Sequence, residues 1–443
     1  MRFIIDCIYL LVALALTPMV VYRMVRYRRY RAGWSNRFGK IIRKDPALKK
    51  CIWLHAVSVG EVNAAKTLVK ELENRFSDFE IVITTTTDTG FARARAIFGA
   101  NYKVFYFPFD FSSIMRRAFR GIQPAICLLM ELEVWPNFVE IARKLNVPVI
   151  VVNGRITDKS FSKYKKIKPF AKKIFRKLSL VLAQTDEYAQ RFMEIGCPQE
   201  KVIVTGSLKY DTAQITDRVE GADTLAEQLF GKIENRKLKI ENVLWVAGAT
   251  GNDEEQILLD VYKNLKQQEQ FSDLRLAIVP RKPERFDEVA QLIENSGLPL
   301  IRYSRIKSAN SESASERRVT SDESRVILGD TMGDLRKFYS LAAIIFVGRS
   351  LVPMGGSDMV EAAALGKPVL FGPYIFNFKQ TVDALLADKG AIMVKDKEDL
   401  LQTMRKCLSK PGFAKKIARN GQNVIKKNQG ATQKTIDQIA KFL

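Results

Sequence analysis

Short apolar, β-branched runs alternate with longer stretches whose apolar residues recur every three or four positions, from about residue 50 nearly to the end of the chain. The runs at 52–59, 81–85, 104–107, 125–130, 149–152, 178–183 and 202–205 read as strands, with crossover helices between them. A second series has strands at 243–247, 274–279, 300–302, 326–328, 343–347 and 368–371. Strand–helix alternation builds doubly wound parallel sheets, so the expected fold class is α/β with two Rossmann-like domains. Between them, residues 212–239 turn polar and lose the strand period, which suits an interdomain connection. The Ser/Glu/Arg-rich segment 308–324 reads as a mobile loop.

The start of the chain breaks this pattern. Residues 3–22 are apolar apart from Asp6, and Arg23, Arg26, Arg28, Arg29 and Arg31 follow them. The length suits a bilayer-crossing helix. A cleavable signal peptide carries its charge mainly before the apolar core, whereas here most of it comes after. The segment therefore reads as an uncleaved membrane anchor with everything after Tyr22 cytoplasmic. Spanning and interfacial placements both stay open, with Asp6 and Pro18 arguing for some shallowness. The alternative is the buried first helix of a soluble domain. Two further stretches, 115–120 and 163–177, mix Lys and Arg with apolar residues and carry no acid. They suit anionic headgroups or an ordinary solvated helix face equally well.

Charge and cysteine usage narrow the classes. The formal net charge is +23, from 71 Lys and Arg against 48 Asp and Glu, which implies an anionic partner. Five cysteines form no CxxC pair and no disulfide framework, and read as reduced core residues. The one histidine, His55, nearly excludes a His-rich metal site or a Ser-His-Asp triad.

The candidate chemistry lies where strands end. After Gly60, Val62, Ala65, Leu68, Val69 and Leu72 fall on one helical face, which places Glu61 at a strand-to-helix turn. Ligands of open α/β sheets bind at that edge. Ser58 and Glu61 also have capping-box spacing, so the same residues could serve only as a helix start. Glu131 to Asn137 and Gly206 to Asp211 follow later strands of the same series. A base, a second carboxylate and a cation would then converge at one edge, or all three are ordinary polar loop residues. In the second series, Arg281 and Arg285 sit just beyond a strand, where guanidinium groups suit phosphate. Asp330 to Leu335 opens a helix, and glycines precede another at 353–358, where backbone amides can approach a phosphate. Asp358 and Glu361 again match a capping box. No GxGxxG or Walker pattern occurs, which disfavours dinucleotide and P-loop readings.

The ordered set HAVSVGE (55–61), TTTTDTG (84–90), ELEVWPN (131–137), GSLKYD (206–211), PRKPERF (280–286), GDTMGDL (329–335), GRSLVPMGG (348–356) and ALGKPVLFGPYIFNF (364–378) resembles the Kdo transferases. These enzymes move 3-deoxy-D-manno-octulosonic acid from CMP-Kdo to lipid A precursors. The resemblance runs over essentially the whole chain. It implies a GT-B architecture, two Rossmann-like domains facing across a cleft, with the acceptor bound by the first and the nucleotide sugar by the second. It implies inversion at the anomeric carbon with no metal and no cofactor. Glu61 matches the general base, and Glu131 and Lys209 match residues that stabilise the transition state. Pro280, Arg281, Met332, Gly333, Asp334, Gly355, Gly356, Asp358, Met359, Val360 and Glu361 match donor-binding positions. The implied partners are CMP-Kdo, a lipid A precursor and an anionic membrane surface, with no nucleic acid and with location at the inner membrane. The sequence carries no signature of an oligomeric state. The expected layout is an anchor at 1–30, an acceptor domain at 31–215 and a linker at 216–240. A donor domain at 241–425 and a C-terminal helix at 426–443, packing back toward the first domain, complete it.

The donor half departs from the family pattern. The family's AGSTHEGEE is AGATGNDEE here, PRHPERF has Lys282 in place of His, and GGHNPLE has become GGSDMVE. Asp334 stands where the family has Glu, and Arg349 where it usually has Gly. Asp358 brings an acid close to a phosphate, which is unfavourable unless a cation such as Lys282 or Arg349 offsets it. The alternatives are therefore a GT-B transferase with another nucleotide sugar, and a sugar-nucleotide epimerase, which would need no anchor. A nucleic-acid-binding protein is suggested by charge alone, without zinc spacing or RNP-like aromatics.

Overall fold

A computed structural model of the chain describes residues 2–26, 31–43, 49–230, 243–309 and 325–443. Arg28, Arg29 and nearly all of the expected 308–324 loop lie outside the described residues. The chain forms two compact units, Met1–Thr212 with Asn428–Leu443, and Ala213–Lys427.

The first unit holds a seven-stranded parallel sheet made of β1 (Lys50–His55), β2 (Phe79–Thr85), β3 (Lys103–Tyr106), β4 (Ile126–Met130), β5 (Val149–Gly154), β6 (Leu180–Ala183) and β7 (Val202–Val204). Its order is β3-β2-β1-β4-β5-β6-β7. The strand period explains the layering. Along β1, Cys51 and Trp53 enter one hydrophobic core while Ile52 and Leu54 enter the other, so helices cover both faces. The expected helical face of Val62, Ala65, Leu68, Val69 and Leu72 is buried in the second of these cores. Chain reversal after β1 comes earlier than the apolar run suggests. The strand ends at His55, and Ser58 takes extended dihedrals and caps a helix beginning at Val59, because its hydroxyl accepts from the Glu61 amide. At the other end of the unit, Ile436 and Ile439 of the last helix, Ala431–Ile439, join the same core.

The second unit repeats the plan with β8 (Leu244–Thr250), β9 (Arg275–Pro280), β10 (Leu300–Arg302), β11 (Val326–Leu328), β12 (Ile344–Val347), β13 (Val369–Phe371) and β14 (Ile392–Met393). All pairings are parallel, in the order β10-β11-β9-β8-β12-β13-β14. β14 was not expected: two residues against β13 are too short to show a period. Part of the polar 216–240 stretch is also ordered. Ala222–Phe230 is a helix of the second unit, with Leu225, Ala226 and Leu229 buried.

One described helix, Phe3–Arg26, is long and apolar enough to cross a membrane, with mean hydropathy 2.3 and 6% of its most apolar window buried. The two basic stretches divide differently. Met115, Ala118, Phe119 and Ile122 of the Ser112–Ile122 helix are core residues, and Arg116, Arg117 and Arg120 form its exposed face. In 163–177, Ile174 and Phe175 are buried, while Ile167 and Phe170 stay exposed.

Candidate active site

Parallel strands bring their carboxyl ends to one edge, and the first unit gathers its candidate residues there. Glu61 is the third residue of the Val59–Arg75 helix and is buried. Its carboxylate accepts from the Val57 amide and from the Ser58 hydroxyl, each at 2.9 Å. The Ser58 hydroxyl in turn accepts from the Glu61 amide at 3.4 Å. The helix-start reading and the chemical reading thus share one residue. Burial first, and then repulsion from Glu131, push the Glu61 carboxyl up to about 7. Hydrogen bonds from Val57 and Ser58 oppose the shift without cancelling it.

The TTTTDTG motif braces this turn. Thr87 donates its hydroxyl to the Val57 carbonyl at 3.0 Å and accepts from the Gly90 amide at 3.0 Å. A Cβ on Gly90 would lie 2.7 Å from the Val57 oxygen, so glycine is required by proximity. His55 ends β1 inside the core, its Nδ1 within 3.1 Å of Thr84. It is fully buried, stacked on Phe107 at 3.8 Å, and desolvation lowers it to about 3, so it is neutral.

Glu131 leaves β4 with φ 54 and its amide bonded to the Val152 carbonyl at 3.0 Å. It lines a cavity of about 550 Å³ together with Glu133, Trp135, Arg155, Lys163 and Tyr164. Burial raises Glu133 above the usual carboxylate range, against a hydrogen bond from Trp135. Lys209 lies on the short Leu208–Asp211 helix, which packs against the Val59–Arg75 helix. That short helix is anchored at both ends. Asn153 accepts from the Leu208 amide at 3.0 Å, and Asp211 accepts from the Gly430 amide at 2.7 Å and from the Thr432 amide.

In the second unit the donor candidates cluster at the corresponding edge. Pro280 ends β9, and Arg281 follows it exposed, its amide bonded to the Thr250 carbonyl at 3.2 Å. Arg285 does not join it. The second guanidinium is bound in a fork by Glu255, at 2.6 and 3.2 Å, and by Glu288 at 2.8 Å. Of the two arginines the motif offers, Arg281 alone is open to an anion.

Gly355 and Gly356 have φ 86 and 80. A Cβ on Gly355 would come within 2.2 Å of Asn377, which explains why the loop needs glycine. Asp358 is exposed and accepts from the Val360 amide at 3.0 Å, Met359 and Val360 are buried, and Glu361 faces outward. The buried Tyr339 hydroxyl, which has no hydrogen-bond partner, is raised by desolvation and then by Glu361 and Asp358, with Arg281 opposing. The charges of Glu361, Asp358 and Arg281 thus all act on this one hydroxyl. Met332 is 68% exposed, and Gly333, at φ 90, has open space around it. The side chain of Asp334 is committed internally. Burial would raise it, but hydrogen bonds from Lys307, Lys337 and Thr331 hold it down at about 2.

Two residues gain weight from the structure. Glu254 accepts from the amides of Arg349, Ser350 and Leu351, at 2.6, 2.9 and 2.9 Å, and so fixes the loop leaving β12. Its only trace in the sequence is the acidic end of AGATGNDEE. Arg349 has φ 62 and bonds the Met354 carbonyl at 3.2 Å. Burial, and then the like charge of Arg281, lower its guanidinium below the usual range. Two neighbouring cations of this kind make a seat for an anion. Among the described residues, no group of three or more His, Cys, Asp or Glu side chains is placed to hold a metal ion.

Comparison with known proteins assigns the family. The profile of the 3-deoxy-D-manno-octulosonic-acid transferases (kdotransferases) matches residues 32–212. The 3-deoxy-D-manno-octulosonic acid transferase of Haemophilus influenzae is 32% identical over 422 residues, covering 95% of this chain and 93% of the relative. That of Bordetella pertussis is 30% identical over 458 residues, covering 98% and 99%. A crystal structure of a glycosyltransferase from Rickettsia africae superposes with a TM-score of 0.57 at 15% identity, over 89% of this chain and 98% of that one. Likeness at that identity establishes the two-domain fold alone. With two relatives aligned along nearly their whole length, the chain belongs to the 3-deoxy-D-manno-octulosonic acid (Kdo) transferase family and is a glycosyltransferase of GT-B architecture.

Proposed function

We propose that this protein transfers Kdo from CMP-Kdo to a lipid A precursor at the cytoplasmic face of the inner membrane, with inversion at the anomeric carbon. The observation that carries the reading is Glu61, a carboxylate pushed up to about 7 by burial and by a second carboxylate, Glu131, which itself lines an open cavity. A base of that strength is matched to neutral pH. In the reaction, Glu61 takes the proton of an acceptor hydroxyl while that oxygen bonds the anomeric carbon of Kdo. The bond from that carbon to the CMP phosphate breaks, and its electron pair leaves with CMP. Lys209 and Glu131 are assigned to the charge that develops during transfer.

Donor binding falls to the second unit. Arg281 and Arg349 supply the positive charge for the phosphate and offset Asp358, so the altered donor motif keeps a net attraction for an anion. The glycines at 333, 355 and 356 let backbone approach the nucleotide. The cavity beside Glu131 combines Arg155 and Lys163 with Trp135 and Tyr164, a mixture suited to a phosphorylated sugar on acyl chains. The N-terminal helix supplies membrane attachment, and its apolar exposed surface supports that role. Incubation with in situ generated CMP-Kdo and a tetraacylated lipid A precursor, read by mass, tests the assignment. A mass increment of Kdo is expected; transfer from a UDP-sugar instead would overturn the donor.

A further inference from the structure

The lone acid of the N-terminal apolar helix is not stranded in it. Asp6 accepts from the Ser112 amide and from the Asn137 side-chain amide, each at 2.9 Å, and from the Ser112 hydroxyl at 2.5 Å. One turn later the Tyr9 hydroxyl donates to Asp110 at 3.0 Å, and its ring meets Phe111 edge-on at 5.8 Å. Ile5 beside them is buried. The Ser112–Ile122 helix has no side-chain cap from its own N-cap residue, Phe111, and Asp6 fills that role from outside.

Beyond this stitched start the helix is bare. Leu10, Leu11, Leu14 and Val25 are between 54% and 71% exposed. The chain then returns to the surface it left. Arg117 donates to the Phe38 carbonyl at 3.2 Å, and a Cβ on Gly39 would lie 2.5 Å from the Ile114 carbonyl. Phe38 and Trp34 both pack on Phe109. The start of the apolar helix and residues 34–39 are thus tied to the same Ser112–Ile122 helix and its approach.

A bilayer-spanning helix cannot satisfy both ties. Its first turn would lie across the membrane from Trp34, whereas both are tied to one surface of the first unit. We propose that the helix lies in the plane of one leaflet, held against the first unit by Asp6 and Tyr9. Its partner is the cytoplasmic leaflet of a bilayer containing anionic lipid. Trp34, Phe38 and Ile42, at 36%, 46% and 77% exposed, then sit at headgroup depth, and the exposed Arg116, Arg117 and Arg120 meet the anionic headgroups. The inference rests on the membrane reading above but goes beyond it, because a spanning anchor would serve that reading equally well.

The test places a specific protease site and tag before Met1 of the full-length protein and uses inside-out inner-membrane vesicles. An in-plane helix leaves tag and catalytic units on the same side, so added protease removes nearly all of the tag while the protein stays with the vesicles. A tag protected until detergent is added overturns the in-plane placement and leaves membrane anchoring intact. Protein found only in the soluble fraction overturns both. Asp6→Leu with Tyr9→Phe removes the polar ties and should raise the protected share several-fold at equal membrane content. Asp6→Asn, which keeps an acceptor for Ser112 and Asn137, should remain cleavable. A double variant as fully cleavable as the wild type would show that these ties do not hold the helix.

Discussion

At the scale of single residues, Glu61 carries two duties that one substitution separates. Gln can still accept from Val57 and bond Ser58, so the helix start survives Glu61→Gln. It cannot take a proton, and turnover should fall by about 10²–10⁴-fold. Wild-type turnover should decline on the acid side with a limb near pH 7, because only the ionised carboxylate acts as base and Glu61 is pushed up to about 7. The sign for stability is the reverse of a salt-bridged acid. A raised carboxylate costs the fold nothing below its unfolded value near 4.5, and the cost grows as pH rises toward 7 and then levels off. That cost is on the order of 3 kcal/mol. Glu61→Gln should therefore gain stability over wild type between pH 5 and 8 in thermal melts. Near-normal turnover in this variant would return Glu61 to helix capping alone. Arg349 offers a second clean separation. At φ 62 a glycine is the less strained residue, so Arg349→Gly should keep or raise the melting temperature while weakening CMP binding. A charge-assisted phosphate bond of about 1.5–3 kcal/mol corresponds to a roughly 10- to 150-fold higher Kd. Calorimetric titration with CMP checks it, and an unchanged Kd would remove Arg349 from the donor site.

At the scale of elements, turns at strand ends do the positioning, and each is braced by a residue from another element. Thr87, from the turn after β2, holds the turn after β1. Glu254, at the start of the Glu254–Lys266 helix, holds the turn after β12 through three backbone amides. Glu254→Ala would leave three donors unmatched, the Ser350 amide buried and the other two partly so, which should cost on the order of 3 kcal/mol in denaturant unfolding. Donor affinity should fall with it, although the Glu254 carboxylate is fully used inside the loop. A variant with wild-type unfolding midpoint and wild-type CMP affinity would show that the turn holds without this clamp.

At the scale of the whole molecule, the apolar helix and the two parallel-sheet units are separable in energy. Removing residues 1–26 takes away the Asp6 cap and the Tyr9 bond, and a lost cap costs only about 1 kcal/mol. Domain stabilities are typically about 5–15 kcal/mol, so both units should remain folded. The truncated protein should move to the soluble fraction with cooperative thermal unfolding, and its turnover on an acceptor embedded in vesicles should drop. Recovery of only aggregated, protease-sensitive protein would show that the helix belongs to a core.

Local periodicity determined the central strands and their crossover helices, because both faces of each parallel sheet are buried there and write an apolar signal into the strand, whereas the two-residue edge strand β14 is too short to carry one. Strand-end placement singled out the turns that hold Glu61, Glu131 and Lys209, and the resemblance to the Kdo transferases gave those three residues their expected roles. What periodicity cannot carry is pairing over distance. Asp6 meets Ser112 across 106 positions, and Glu254 meets the Arg349 amide across 95. The same limit hid the difference between Arg281 and Arg285, two arginines in one motif that only the positions of Glu255 and Glu288 tell apart. Burial of a charge, and hence the raised carboxyl of Glu61, depends on how densely other elements crowd it, and that is a property of the folded chain alone.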